Sequence, residues 1–290
     1  MPKKMKKVSV IIPVYNGAKT LQQCLESVLN QNHNNYELIV VDNNSSDDTK
    51  KIIKSFRNKD IKYVFKEKIG RGSAKNAGII EATGEIIAIT DSDCIVPKNW
   101  VTELIRPILY ENENIVMGSE RDIINNYWTK NIQKADYEFN KRNLEKNNHI
   151  KLLDTKNFAI KSSLLKKMMF DEKIRALEDF ELYLRLKEKH KIRFLPEVRV
   201  IHRHRNSFEK YFKMQFERGY WAYRIYKNHR LDERIKEEPV LENISIKNFI
   251  IFPLWLISQL FKKPPEEVFF ILISEIAWRT GLVRSFLSYH

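Results

Sequence analysis

Short β-branched runs alternate with helical patterns along the first hundred residues. Val8–Ile12 is largely apolar and closes at Pro13, and Ala18–Asn30 then carries Leu21, Leu25, Val28 and Leu29 at helical spacing. Leu38–Val41 is a second buried-type run ending at Asp42. Ser45 or Ser46 is suited to cap a helix through Phe56, with Asp47 and Asp48 in its first turn. A third run at Ile61–Phe65, a helix over Ser73–Ala82 and a fourth run over Glu85–Thr90 complete the series. Strand–helix–strand repetition of this kind predicts an α/β fold, a mostly parallel sheet with helices on both faces. Ligands of such sheets lie at the carboxyl ends of the strands. Tyr15–Asn16, Asp42–Asn43 and Asp91–Asp93 are therefore expected to line one crevice.

Beyond this block, Pro97 opens a helix through Tyr110 and Ile115–Met117 reads as a strand. Tyr127–His149 is polar and helical in pattern, as expected of an insertion or lid. A helix is predicted over Leu177–Lys189. Val198–His204 alternates like a strand, setting Val198, Val200, His202 and His204 on one face. Asn206 or Ser207 caps a long helix to about His229, and positions 231–245, with Pro239, read as a linker. The end of the chain changes character. Phe249–Phe261 and Val268–Trp278 are apolar stretches of 13 and 11 residues on either side of KKPPEE. Both fall short of the roughly 20 residues a membrane-crossing helix needs.

Composition narrows the picture. With 290 residues and 43% hydrophobic positions the chain can bury a substantial core, which excludes wholesale disorder. A net charge of +14 calls for an anionic partner: a phosphate-bearing substrate, an acidic membrane surface or nucleic acid. Cys24 and Cys94 alone exclude a disulfide scaffold and a cysteine-based zinc cluster. The apolar run after MPKKMKK is too short for a signal peptide, so a cytoplasmic, reduced location is expected.

The most informative tripeptide is Asp91-Ser92-Asp93 at a strand-to-loop junction. Two carboxylates so placed can hold a hard divalent cation that neutralises a diphosphate, although Asp in turns also serves local backbone hydrogen bonds. Gly70-Arg71-Gly72 does not make a dinucleotide fingerprint. Lys75 stands where the third glycine belongs, and the run follows the third strand rather than the first.

SVIIPVYNGAKTLQQCLESVLNQ, YELIVVDNNSSDDT and GRGSAKNAGIIEATGEIIAITDSDCIVP together resemble the nucleotide-sugar half of family 2 glycosyltransferases with a GT-A fold. NFAIKSSLLKKMMFDE and ALEDFELYLRLKEKHKIRFLP resemble the family's acceptor half, so the likeness runs over about residues 7–225. It implies a GT-A domain over 1–235, with a nucleotide-sugar half at 1–118 and an acceptor half at 119–235. A C-terminal helical tail would follow at 236–290.

The resemblance also implies roles. Pro13, Tyr15, Asn16 and Asn44 would line the nucleotide pocket and Asp42 would read the base edge. Lys75, where the family more often has Arg, would reach the diphosphate without bidentate geometry. Asp91 and Ser92 would contact the donor, with Asp91 also near the metal, and Asp93 would ligate Mn or Mg. Asp179 would be the general base, with Glu178 as the fallback, in an inverting displacement. Acids at 178 and 179 would equally favour a helix N-terminus with no catalytic role. IHRHRNSFEKYF resembles the family segment whose His reaches the metal. His202 is preferred over His204 as the ligand, against the plainer reading of a solvated basic strand end.

Residues 185–230 hold 14 Lys/Arg against 4 Asp/Glu, interleaved with Tyr211, Phe212, Phe216, Tyr220, Trp221, Tyr223 and Tyr226. This pattern suits nucleic acid or an anionic membrane surface. The two apolar stretches of the tail favour the membrane, as a helical hairpin in one leaflet, and with it a glycan or polyprenyl-linked acceptor at the cytoplasmic face. Packing on the domain's own core would give the same signature. The expected activity is metal-dependent sugar transfer from a nucleoside diphosphate donor. The alternative is a non-catalytic basic protein that binds nucleic acid or an acidic membrane.

Overall fold

The computed structural model describes residues 6–56, 61–229 and 246–289, together with Glu238, Leu241 and Ile244. Most of the expected linker at 231–245 thus lies outside the described residues. The chain divides into two compact units: Met1–Ile123 with Asp136–Arg203, and Ile124–Ala135 with His204–His290.

The first unit is built on strands β1 (Val8–Val14), β2 (Tyr36–Asp42), β3 (Ile61–Phe65), β4 (Ile86–Thr90), β5 (Cys94–Ile95), β6 (Ile115–Asp122), β7 (His149–Ile150), β8 (Asn157–Lys161) and β9 (Ile192–His202). Its helices are α1 (Leu21–Leu29), α2 (Thr49–Ser55), α3 (Arg71–Glu81), α4 (Trp100–Tyr110), α6 (Ser162–Met168) and α7 (Glu178–Leu186). The end of α5 (Tyr127–Asn143) also belongs to it. One sheet runs β3-β2-β1-β4-β8-β6-β9-β5, with β7 on β9. The four strands of the predicted block are parallel. From β8 onward the pairings are mixed, with β8 antiparallel to both β4 and β6.

Period-two geometry explains the helical layers. Val8, Val10, Ile12 and Val14 share a core cluster with Leu21, Leu25 and Val28 of α1, Ile53 of α2 and Trp100, Leu104 and Ile105 of α4. On the opposite face α3 comes so close that a Cβ on Gly78 would lie 2.5 Å from the Ile11 side chain. Helices therefore cover both faces, as the apolar strands require.

Two boundaries differ from expectation for physical reasons. α2 begins at Thr49 because the residues before it build a loop. Ser45 Oγ accepts from the Asn16 amide, and Asp47 accepts from Ala18 and Thr49. β9 begins at Ile192 and stops at His202, so the alternation argument reaches His202 but not His204, which belongs to the second unit.

The register between β6 and β9 jumps at Gly118/Ser119, where β9 carries extra residues. Asn157 holds this bulge together. Its amide donates to Ser119 O (2.7 Å) and Val198 O (2.8 Å), while its Oδ1 accepts from the buried Trp100 indole at 2.8 Å. Gly118 is required there, since its Cβ would fall 2.2 Å from Asn157 Nδ2.

The second unit contains the start of α5, α8 (Phe208–His229), α9 (Ile246–Leu260) and α10 (Pro265–Tyr289). Ile132 of α5, Tyr211 of α8 and Phe270 of α10 form its core, with Trp128 packed against them. Backbones of α8 and α10 nearly touch. A Cβ on Gly219 would meet Trp278 O at 1.8 Å, and one on Gly281 would meet Phe216 O at 2.0 Å. Among the described residues no helix is long and apolar enough to cross a membrane.

Replacing Asn157 with Ala leaves an indole N–H and two carbonyls buried without partners, at about 1–3 kcal/mol each. Denaturant unfolding of the Asn157→Ala variant, followed through Trp fluorescence, should show a loss of roughly 3 kcal/mol or more.

Candidate active site

Strands β1, β2 and β4 finish at one edge of the sheet, where Val14 and Asp42 are in register. Two asparagines there adopt left-handed backbone, Asn16 at φ 51° and Asn44 at φ 63°. Asn tolerates that conformation better than other side chains with a Cβ. Asn16 Oδ1 accepts from the Ser46 amide at 2.8 Å, which locks the β1 loop to the β2 loop. Asp42 is buried, and its two oxygens accept from Ser45 N (3.0 Å) and the Tyr63 hydroxyl (3.1 Å). Pro13 lies half-buried in β1, one residue before its end at Val14, while Tyr15 stands 52% exposed.

After β4 the chain turns through Asp91, Ser92 and Asp93, all half-buried, into the short strand β5. Pairing of Cys94 with His202 across β5 and β9 sets the imidazole beside the acidic turn, with His202 Nε2 3.6 Å from Asp93 Oδ2. On its other side His202 Nδ1 is 2.9 Å from Glu120 Oε2. Burial by itself would lower the His202 pKa, but the neighbouring carboxylates of Asp93 and Glu120 outweigh that and raise it to about 10. Glu120 is also paired with Lys156 at 2.9 Å, and Lys156 with Asp154. Burial, reinforced by the Asp93 charge and opposed by Lys75, holds Asp91 above the usual carboxylate range.

Donor atoms of Asp93, Cys94 and His202 lie within 4.8 Å of one another, so this group can hold a metal ion. Burial first, then Asp91 and Asp93, push the Cys94 thiol well up, which keeps it neutral. Carboxylate and imidazole are the donors that fit, and they suit a hard to borderline divalent ion better than a thiophilic one.

At the N-terminus of α7 the two acids part company. Glu178 is buried and bonded to Lys75 Nζ at 2.7 Å; Lys75 also donates to Thr155 Oγ1. Burial would raise Glu178, but Lys75 and Arg71 pull it below the usual range. Asp179 is half-buried. Burial, then the neighbouring Glu178 charge, raise its pKa to about 6. Leu177, just before them, is held at φ 63°, a strained backbone for a branched side chain.

The expected residues thus gather into two neighbourhoods. Asp91, Asp93, His202, Lys75, Glu178 and Asp179 act on one another electrostatically, whereas Tyr15, Asn16, Asp42 and Asn44 share the β1–β2 loops. The Lys75 ammonium lies on Glu178 with its side chain 5% exposed. Sequence reasoning missed Glu120, Asp154, Thr155, Lys156 and Tyr63. A signal for three of them exists: Asp154–Lys156 precede β8, whose Asn157 pairs with Thr90, so they must flank the turn at Asp91.

A family model described as Glycosyl transferase family 2 matches residues 9–172. Glycosyltransferase GlyG of Streptococcus pneumoniae serotype 4 is 37% identical over 115 residues, 39% of this chain and 38% of that protein. An uncharacterized glycosyltransferase of Rickettsia typhi is 31% identical over 200 residues, 67% of this chain and 62% of that protein. The matched stretch is thus less than two thirds of either relative. Among solved structures, the mannosyltransferase PcManGT of Pyrobaculum calidifontis, in complex with GDP-Man and Mn2+, aligns over 100% of this chain and 89% of its own. The TM-score is 0.73 at 16% identity, a likeness of fold.

Breaking a buried ion pair from one side costs about 3–5 kcal/mol. Lys75→Met and Glu178→Leu are each expected to destabilise on that scale, and the double variant by clearly less than the sum. A double-mutant cycle in urea checks this.

Proposed function

Because the chain belongs to glycosyl transferase family 2 and has a GT-A fold, we propose that it moves a sugar from a nucleoside diphosphate to an acceptor hydroxyl with inversion at the anomeric carbon. The observation that carries this reading is one charge-coupled cluster holding both a metal-capable pair, Asp93 and His202, and a half-buried carboxylate, Asp179, with a pKa raised to about 6. Family membership sets aside the non-catalytic alternative.

Tyr15 offers an exposed ring for stacking on a base, within a nucleoside pocket that includes Pro13, Asn16, Asp42 and Asn44. Asp91 and Ser92 face the donor. Asp93 and His202 would hold a Mn or Mg ion, and such an ion supplies charge neutralisation for a departing diphosphate. Asp179 takes the acceptor hydroxyl proton as that oxygen bonds to the anomeric carbon and the bond from that carbon to the diphosphate oxygen breaks. Glu178 is less suited to this task because its charge is committed to Lys75. Arg71, exposed at the start of α3, is the cation we assign to the phosphates.

The acceptor reading is a lipid-linked or cell-surface glycan, met at the cytoplasmic membrane face. Its support is an apolar surface. Leu254 is 69% and Phe261 86% exposed, with Trp255 and Ile257 also exposed and Lys262 and Lys263 adjoining. Aromatic and aliphatic side chains beside lysines suit an anionic bilayer surface.

Incubation with a panel of nucleoside diphosphate sugars, Mn2+ and membrane lipid extract should release a nucleoside diphosphate from one donor class. Asp179→Asn should lower kcat by roughly 10²–10⁴-fold with donor binding intact. Because the base must be ionised, the wild-type rate should climb as pH rises through about 6, a limb absent from the variant. Near-normal turnover in Asp179→Asn would refute the base assignment.

Membrane docking has its own check. Leu254→Ser/Phe261→Ser should weaken partitioning onto phosphatidylglycerol vesicles, read by co-sedimentation, by roughly 100-fold or more, on the scale of burying two apolar side chains. Equal partitioning of variant and wild type would refute it.

A further inference from the structure

Resting on the reading that Asp93 and His202 hold the cation, we infer that Glu120 is the positioning residue that aims the His202 imidazole at it. His202 has one nitrogen toward each acid: Nε2 faces Asp93 Oδ2 at 3.6 Å, and Nδ1 meets Glu120 Oε2 at 2.9 Å. With Nδ1 held against Glu120, Nε2 is the nitrogen turned toward the acidic turn. Histidine ligands commonly need such a partner, since the hydrogen bond at one nitrogen fixes both tautomer and ring plane.

The fold holds Glu120 to this task from three sides. Its other oxygen, Oε1, is bonded to Lys156 at 2.9 Å, which fixes the plane of the carboxylate. The register jump at Gly118/Ser119 sets Glu120 opposite Val200, two residues before His202; without it, β6 would present this side chain further back along β9. Asn157 clamps the bulge by bonding both Ser119 O and Val198 O. Side-chain exposures of 8% for Glu120 and 5% for His202 distinguish this contact from a surface ion pair. No direct contact of Glu120 with substrate or metal is needed.

The test titrates full-length protein with Mn2+ in the presence of UDP or of GDP, read by loss of the free-ion electron paramagnetic resonance signal. Glu120→Gln, which keeps the shape but not the charge, should weaken Mn2+ binding about 10–100-fold. It should also change the 14N spin-echo modulation of the bound ion at saturation, a signature that a purely structural role would leave alone. Asp93→Ala and His202→Ala should weaken binding at least as much. If Glu120→Gln binds Mn2+ like wild type with unchanged modulation while His202→Ala does not, the positioning role is wrong and the metal assignment stands. If His202→Ala and Asp93→Ala also bind normally, the metal assignment fails and takes this inference with it. Should Glu120→Gln not fold, Glu120→Asp serves, since its carboxylate is drawn back from Nδ1; undiminished affinity there overturns the proposal equally.

Discussion

The structure depends on confining many negative charges at the end of one sheet. Asp91, Asp93, Glu120, Asp154, Glu178 and Asp179 crowd the region between β4, β6, β8 and α7, and burial disfavours the ionised forms of Asp91, Glu178 and Asp179. Lys75 and Lys156 are sunk among them, each bonded to at least one acid at short range. Lys75, Lys156 and His202 lie among these acids, and Arg71 also acts on Glu178. The uneven distribution of these charges gives each acid its character. Glu178 is drawn low by Lys75 and Arg71, whereas Asp91 and Asp179 are pushed high.

That division follows from helix geometry. Successive residues on a helix diverge by about 100°, so Glu178 and Asp179 cannot share one environment. With Phe180, Leu182, Leu184 and Leu186 buried, α7 is fixed in rotation; Glu178 turns inward to Lys75 and Asp179 keeps contact with solvent. The left-handed Leu177 costs of order 1–3 kcal/mol. The packing of α7 sustains that strain, which fixes how the chain enters the two acids. Asn16 and Asn44 solve a similar problem at lower cost on the other side of the sheet.

Much of this was legible in the sequence, and the limits are physical. β-branched runs and helical spacing marked β1 to β4 and α1, α3 and α4, because periodicity reports which face a neighbour covers. The same reasoning put Asp91–Asp93 at the ligand edge. It could not see Lys75 meeting Glu178, 103 positions away, since that contact depends on how β8 and α7 return to the sheet. Nor could it see Glu120, whose aim depends on a bulge that has no signature beyond Gly118. The alternation of Val198 to His204 treated both histidines alike, whereas the strand stops at His202. At α2 the serines expected to cap a helix instead tie two loops together, a contest between equivalent local hydrogen bonds that composition does not settle.

The tail shows how packing separates two explanations for one hydrophobic pattern. Val268, Phe270, Ala277 and Leu282 of α10 are buried, and the reciprocal approach of Gly219 and Gly281 brings α10 against α8 at backbone distance. For that stretch, coverage of the protein's own helices is a sufficient account. It does not extend to Leu254, Trp255, Ile257 and Phe261, which remain exposed within its second unit beside Lys262 and Lys263. Apolar side chains of this size gain about 1.5–3 kcal/mol each when buried, so leaving them in water favours their burial against an apolar surface. The two apolar stretches, alike in sequence, therefore divide by burial: one completes the helical unit, and the other stays at its surface.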